Sequence, residues 1–203
     1  MTDSRQLSRL VESAEDFAIV LQDFRNELPP RDDAAQRNLT DITSAIGELY
    51  RLSTILQQLR SAFDAPQYAD RLYRIAADAA LVVSSAQATL SVALGMVGRA
   101  SPTTHWMVWD DLSHRLQDVE RVSLSMRLRW YYSFTEGLLD LLEGYAFDAT
   151  LARIKASIQA LLQQQQQPES PRAERPVISY RVIESSKSLD LVSVALMQRS
   201  RNR

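Results

Sequence analysis

The sequence predicts an all-α fold: a bundle of about six helices over residues 1–166, a flexible Gln/Pro-rich linker over 167–176, and a short C-terminal tail over 177–203. Three observations predict it. Apolar residues recur at steps of three and four through long stretches, the spacing that gathers them on one face of a helix. Prolines at 29–30, 66, 102, 168, 171 and 176 bound those stretches rather than interrupting them. Proline ends helices because it lacks an N–H and clashes with the preceding turn. Glycine is scarce, five residues in 203, too few for the turns of a β-sandwich or barrel.

The first stretch carries Leu7, Leu10, Ala14, Phe17, Leu21, Phe24 and Leu28, an a/d heptad stripe with Asp3 or Ser4 as its N-cap. The second follows the capping pair Asp32–Asp33, runs through Leu39, Ile42, Ile46, Leu49, Leu52, Leu56, Leu59 and Phe63, and closes at Pro66. The third reads Tyr68, Leu72, Ile75, Ala79, Val83, Ala86, Leu90, Ala93 and Val97, and stops at Gly95, Gly98 and Pro102. A fourth stripe is Trp106, Trp109, Leu112, Leu116 and Val119. A break near Val122–Ser123 separates it from a fifth, Leu124, Leu128, Tyr131, Thr135, Leu138 and Leu142. Ser123 caps the new start, Gly144 stops it, and Asp148 caps the last stretch with Leu151, Ile154, Ile158 and Leu161. Residues 163–176, QQQQQPESPRAERP, bury too little apolar surface to offset ordering entropy and read as linker. Beyond them, residues 177–183 have the β-branched composition of a short strand, and 188–198 that of a short helix.

Composition narrows the function classes. The chain has no cysteine, hence no disulfide, no thiolate metal site and no Cys nucleophile. It has two histidines, His105 and His114, and no phosphate-binding, dinucleotide-binding or hydrolase motif. Asp111 and His114 share a helix face, but a di-metal bundle needs a second such pair and inward carboxylates, so both are expected to face solvent. The expectation is a protein without catalytic, cofactor or metal sites. The net charge of −2 gives no general attraction to nucleic acid. The absence of cysteine and of an apolar leader fits a cytoplasmic protein.

Three stretches invite a binding role. Residues 127–132, RLRWYY, alternate arginine with aromatics, a mixture that stacks on bases or, equally, lays arginine stems over rings within a helix. Its short length and the acidic bundle around it argue against nucleic acid. Trp106 and Trp109 either continue the buried stripe or anchor a partner, as tryptophan does at binding hot spots. The partner-binding candidates are therefore Trp106, Trp109, Arg127, Arg129 and Trp130. If a hairpin forms at residues 122–123, Trp106 and Trp109 are expected near residues 139–142. The uncharged run 79–98 is long enough to cross a bilayer, yet Ser84, Ser85, Gln87, Thr89 and Ser91 interrupt it, so a central bundle helix is the expected state.

The run from Trp109-Asp110-Asp111-Leu112 through Ser123-Leu124, Arg127-Leu128, Tyr131, Phe134 and residues 138–144 resembles helical N-terminal domains of fungal STAND (NLR-like) signalling proteins and their free-standing relatives. Arg25-Asn26-Glu27-Leu28 and residues 42–56 extend the resemblance to about 7–162. It implies an all-α interaction or signalling module without catalytic residues, and no functional residue is carried over. The expected function is a non-enzymatic adaptor acting on protein partners. The alternatives are a membrane-active bundle of the fungal cell-death type, separated from the adaptor by residues 79–98, and a structural or oligomerisation protein, with a homo-oligomer among the expected partners; the first heptad stripe either packs inside the bundle, the favoured reading, or meets a partner helix.

Overall fold

A computed structural model describes residues 4–27, 33–98, 105–120, 122–146 and 148–166. Six helices account for most of them: α1 (Ser4–Glu27), α2 (Asp33–Asp64), α3 (Leu72–Val97), α4 (His105–Glu120), α5 (Leu124–Glu143) and α6 (Ala149–Gln166). A single 3-10 turn, Pro66–Tyr68, links α2 to α3, and no strand occurs among the described residues. The strand and helix expected at 177–183 and 188–198 lie outside the described residues.

Helix directions follow from residues that meet across seams. Ser4 and Ser8 of α1 meet Asp64 and Arg60 of α2, and Glu15 meets Ser53, so α1 and α2 are antiparallel. Glu48 meets Arg129 near one end of α5, and Tyr68, just beyond α2, meets Glu143 at the other, so α2 and α5 are parallel. Arg71 meets Leu142, and Ser85 and Thr89 meet Tyr131, which makes α3 and α5 antiparallel. Asp78 meets Lys155 and Thr89 meets Gln165, so α6 is parallel to α3. The principal packing runs α1–α2–α5–α3 and back to α1, a four-helix square with α2 and α3 on one diagonal, and α6 lies against both α3 and α5.

The core is the set of stripes visible in the sequence. The α1 positions 7, 10, 14, 17, 21 and 24 are buried, as are 42, 46, 49, 52, 56 and 59 of α2, and the stripes of α3 and α5 from Ile75 and Leu124 onward. Leu28 lies outside the described residues. The expected punctuation holds at three places. Ser123 Oγ accepts from the Met126 N–H at 3.3 Å and caps α5. Gly144, at φ 103°, occupies the left-handed region that lets the chain leave α5. Asp148 Oδ1 accepts from the Leu151 N–H at 2.7 Å and caps α6.

Three expectations need correction. Tyr68 does not begin α3; it belongs to the 3-10 turn, where it donates to Glu143 while Arg71 donates to the Leu142 carbonyl at 2.7 Å. An arginine beside the open carbonyls of a helix C-terminus is favoured by the helix dipole, so this connection clamps the end of α5. Gln163–Gln166, which composition reads as linker although the bundle is bounded at 166, are the last turn of α6, held by a hydrogen bond from Gln165 to Thr89. Finally, α4 and α5 do not pack as a hairpin. α4 lies chiefly against α3, with lesser contact to α2 and α6. Trp109 meets Phe24 of α1, at 6.3 Å between ring centroids, rather than residues 139–142.

Candidate functional site

The RLRWYY segment starts one residue into the second turn of α5, and each successive side chain turns by about 100°. Its members therefore part company. Arg127 points inward and is 1% exposed. Its guanidinium donates to the Leu116 carbonyl in the last part of α4 and, at 3.4 Å, to the Val122 carbonyl in the connector, so it ties α5 to α4 and to the chain between them. Arg129 points to α2, where Nε and Nη2 donate to Glu48 Oε1 at 3.2 and 3.1 Å. Trp130 is half-buried and lies seven residues before Gly137, on the side of α5 that meets Leu151 of α6. Tyr131 is wholly buried, and Tyr132 lies under the guanidinium of Arg51, 4.6 Å from its ring centre.

The four described candidates, Trp109, Arg127, Arg129 and Trp130, thus form no common patch. Trp109 is 3% exposed, and its indole N–H has no hydrogen-bond partner among the described residues. Trp109 and Arg127 are interior packing groups, which removes them from the exposed candidates for partner contact: a covered side chain offers a partner nothing to touch. Arg129 remains largely exposed. The side chain of Trp106 lies outside what the structure describes. Asp111 and His114 both face solvent.

The surface with the most developed geometry is the α2–α5 seam. Its upper part centres on Glu48, a carboxylate 5% exposed and set between Arg129 and Arg51, the latter at 3.6 Å from Oε2. A charge this sheltered needs such partners, because moving it out of water is costly. Tyr132, under Arg51, donates to Glu136 at 2.9 Å. Exposed Tyr50 on α2 and Met126 on α5 add apolar surface near these positions. The lower part opens into a groove of about 680 Å³ between the second half of α2, the 3-10 turn and the end of α5. Ala62, Ala65, Leu139 and Leu142 provide its apolar lining, and Thr54, Gln57, Gln58, Ser61 and Gln67 its uncharged polar lining. A smaller recess of about 230 Å³, lined by Gly137, Asp140 and Leu151 among others, lies where α5 turns into α6.

A second polar constellation is internal. The Tyr131 hydroxyl lies 2.9 Å from Ser85 Oγ, 2.8 Å from Thr89 Oγ1 and 3.2 Å from the Ser85 carbonyl, and Gln165 Nε2 donates to Thr89 Oγ1 at 2.9 Å. Burial pushes the Tyr131 pKa up, since the phenolate would lose its hydration, and the hydrogen bonds from Ser85 and Thr89 pull the other way. A neutral, fully hydrogen-bonded phenol joins α3, α5 and α6; this is a packing device with no open space for a substrate.

Sequence reasoning placed Tyr131 and Thr135 in the stripe but missed Glu48 and Gln165. The available signal for Glu48 was its position: it directly precedes Leu49, on the flank of the apolar stripe of α2, with Arg51 three residues on. No protein-family model, curated protein or solved structure matches this chain.

Proposed function

We propose that the chain is a non-enzymatic helical module that binds a helical segment of a protein partner along the α2–α5 seam. The observation that carries this reading is the groove of about 680 Å³. Its α2 lining falls at positions 54, 57, 58, 61 and 62, the three- and four-residue steps that present one continuous helix face. An apolar floor edged by amides, hydroxyls and, at one end, the Tyr68–Glu143 pair suits the helix-in-groove mode, in which one apolar stripe is buried and the flanks stay hydrated. The resemblance to fungal interaction domains supports the same class of function.

The test is selection from a displayed peptide library against the full chain. Amphipathic helical binders are expected, and exposed Gln58→Arg with Ser61→Arg should weaken them about tenfold or more, a change of about 1.4 kcal/mol per decade. Ile19→Asp, on exposed α1 surface, should leave them unchanged. Binders indifferent to the groove substitutions overturn the reading.

A second reading, a membrane-active bundle, draws on α3, which is long and apolar enough to cross a bilayer by length and composition. Within the bundle the same helix lies against α1, α4, α5 and α6, and its Ser85 and Thr89 are engaged by Tyr131. Flotation with anionic liposomes separates the two: the interaction module stays with the soluble fraction, and co-flotation of the full chain favours the membrane reading.

A further inference from the structure

The α2–α5 seam is charged with opposite sign toward its two ends. On α5, Arg129, Glu136 and Glu143 stand seven residues apart, close to two turns each, and so share one face with Tyr132 and Leu139 between them. On α2, Arg51 continues the face of Thr54, Gln58 and Ser61 toward the start of the helix. Because α2 and α5 are parallel, both arginines fall at one end of the seam, Glu136 near its middle and Glu143 at the other end.

The arginine end is held in place from below. Two guanidiniums on neighbouring helices repel, and the carboxylate of Glu48, 5% exposed, is set between them. Arg129 gives Nε and Nη2 to Oε1, Arg51 brings Nη1 to 3.6 Å from Oε2, and the Arg51 guanidinium lies on the Tyr132 ring. One carboxylate answers two cations, so the pair keeps a net positive charge, and the two side chains stay 54% and 56% exposed. A guanidinium carries five N–H donors in a fixed fork, so each arginine keeps donors for a further acceptor. The glutamates are fixed in the same manner: Tyr132 donates to Glu136 at 2.9 Å and Tyr68 to Glu143. Arg71, also near the Glu143 end, gives its guanidinium to the Leu142 carbonyl.

An α-helix is itself polar, positive at its N-terminus and negative at its C-terminus. We propose that the partner helix runs antiparallel to α2 and α5, its N-terminal turn at Glu143 and an acidic side chain of its last turns held between Arg51 and Arg129. The inference rests on the helix-in-groove reading of this seam and adds to it a direction and a charge. The opposite direction would set the open carbonyls of the partner on Glu143 and its N–H groups on the arginines. A basic C-terminal end would meet two cations, and a nucleic acid would bring phosphates onto Glu136 and Glu143. α5 itself starts at the arginine end, so an antiparallel neighbour also opposes its dipole favourably.

The test uses the full chain, which has no cysteine, and a displayed library of helices about 20 residues long, about 30 Å, with acidic, basic and neutral flanks equally represented. Binders weakened by Gln58→Arg with Ser61→Arg are kept as groove binders. Among these an Asp or Glu should recur near the C-terminal end of the apolar stripe. Changing it to Asn or Gln in the peptide, which leaves the protein untouched, should weaken binding about fivefold or more, and Arg51→Gln should remove most of that difference. Disulfide linkage reads the direction. Gly47→Cys, at an exposed position with open space for a Cβ, lies beyond the arginine end, and Gln67→Cys, also exposed, lies at the other. A C-terminal peptide cysteine should link to Gly47→Cys and an N-terminal one to Gln67→Cys. Groove binders that link in the opposite sense, or that lose nothing with their acid, overturn the inference and leave the helix-in-groove reading standing. A library with no groove-dependent binder overturns both.

Discussion

Removing one oxygen atom tests how the bundle holds its apolar helix in place. Tyr131→Phe keeps the ring and deletes the hydroxyl that Ser85 and Thr89 approach at 2.9 and 2.8 Å. One assignment gives every hydroxyl of the cluster an acceptor: Ser85 and Thr89 donate to the phenol oxygen, the phenol donates to the Ser85 carbonyl, and Gln165 donates to Thr89. Without the phenol, two buried hydroxyls lose their acceptor, at about 1–3 kcal/mol. For a domain of this size each kcal/mol moves Tm by about 2–4 °C. Urea unfolding followed by tryptophan fluorescence reads the same loss as a lower midpoint. Hydrogen-bond energetics also predicts an asymmetry: adding Ser85→Ala and Thr89→Val to Tyr131→Phe should recover much of the loss, because no polar group is then stranded. A single Tyr131→Phe as stable as the unmodified chain, or a triple variant far worse than the single, refutes the reasoning.

The same phenol sets an alkaline limit. Its pKa is raised in the folded state by burial, so the unfolded chain ionises first. Stability from the neutral phenol is fully present below the ordinary tyrosine pKa of 10.0 and is lost as pH rises through the higher folded value. The advantage of the unmodified chain over Tyr131→Phe should therefore shrink above pH 10.0, and an advantage that grows there contradicts this account.

Four further outcomes are expected. Gly137→Ala should cost about 1–3 kcal/mol, since an added Cβ would overlap the Leu151 side chain, whose Cγ stands 2.9 Å away; Leu151→Ala in the same chain should relieve part of the strain, read by urea midpoints. Arg127→Met should lower stability by about 1.5–3 kcal/mol by stripping charged donors from the Leu116 and Val122 carbonyls, checked by Tm. Trp109→Ala should cost about 3–5 kcal/mol, whereas Trp109→Phe should cost far less because the indole N–H makes no hydrogen bond to the described residues; iodide should quench Trp109 little. A chain ending at Gln164 should be less stable than one ending at Gln167 by about 0.5–1.5 kcal/mol, the worth of the Gln165–Thr89 hydrogen bond, with equal stability counting against an anchored last turn.

What was legible in the sequence was whatever depends on period and punctuation. The stripes of α1, α2, α3 and α5 are buried as their spacing requires, and Ser123, Gly144 and Asp148 sit at the helix ends that local backbone chemistry assigns them. The pairing of helices was not legible. A short break between α4 and α5 suggested a hairpin, but α4 lies chiefly on α3, a choice set by tertiary partners far along the chain. Composition misled at Gln163–Gln166 for a similar reason. Glutamine is a good helix former, and one side chain reaching a buried hydroxyl fixes a turn that low hydrophobicity alone would leave unanchored.

The candidate site shows the sharper limit. A run of arginines and aromatics looks like a patch only while it is written on a line. On α5 the five residues 127–131 point in five directions, and their roles follow direction more than type. The inward arginine becomes a tie to the backbone of α4 and its connector, the next becomes the partner of a sheltered carboxylate, and the inward tyrosine becomes the hub of a hydrogen-bonded cluster.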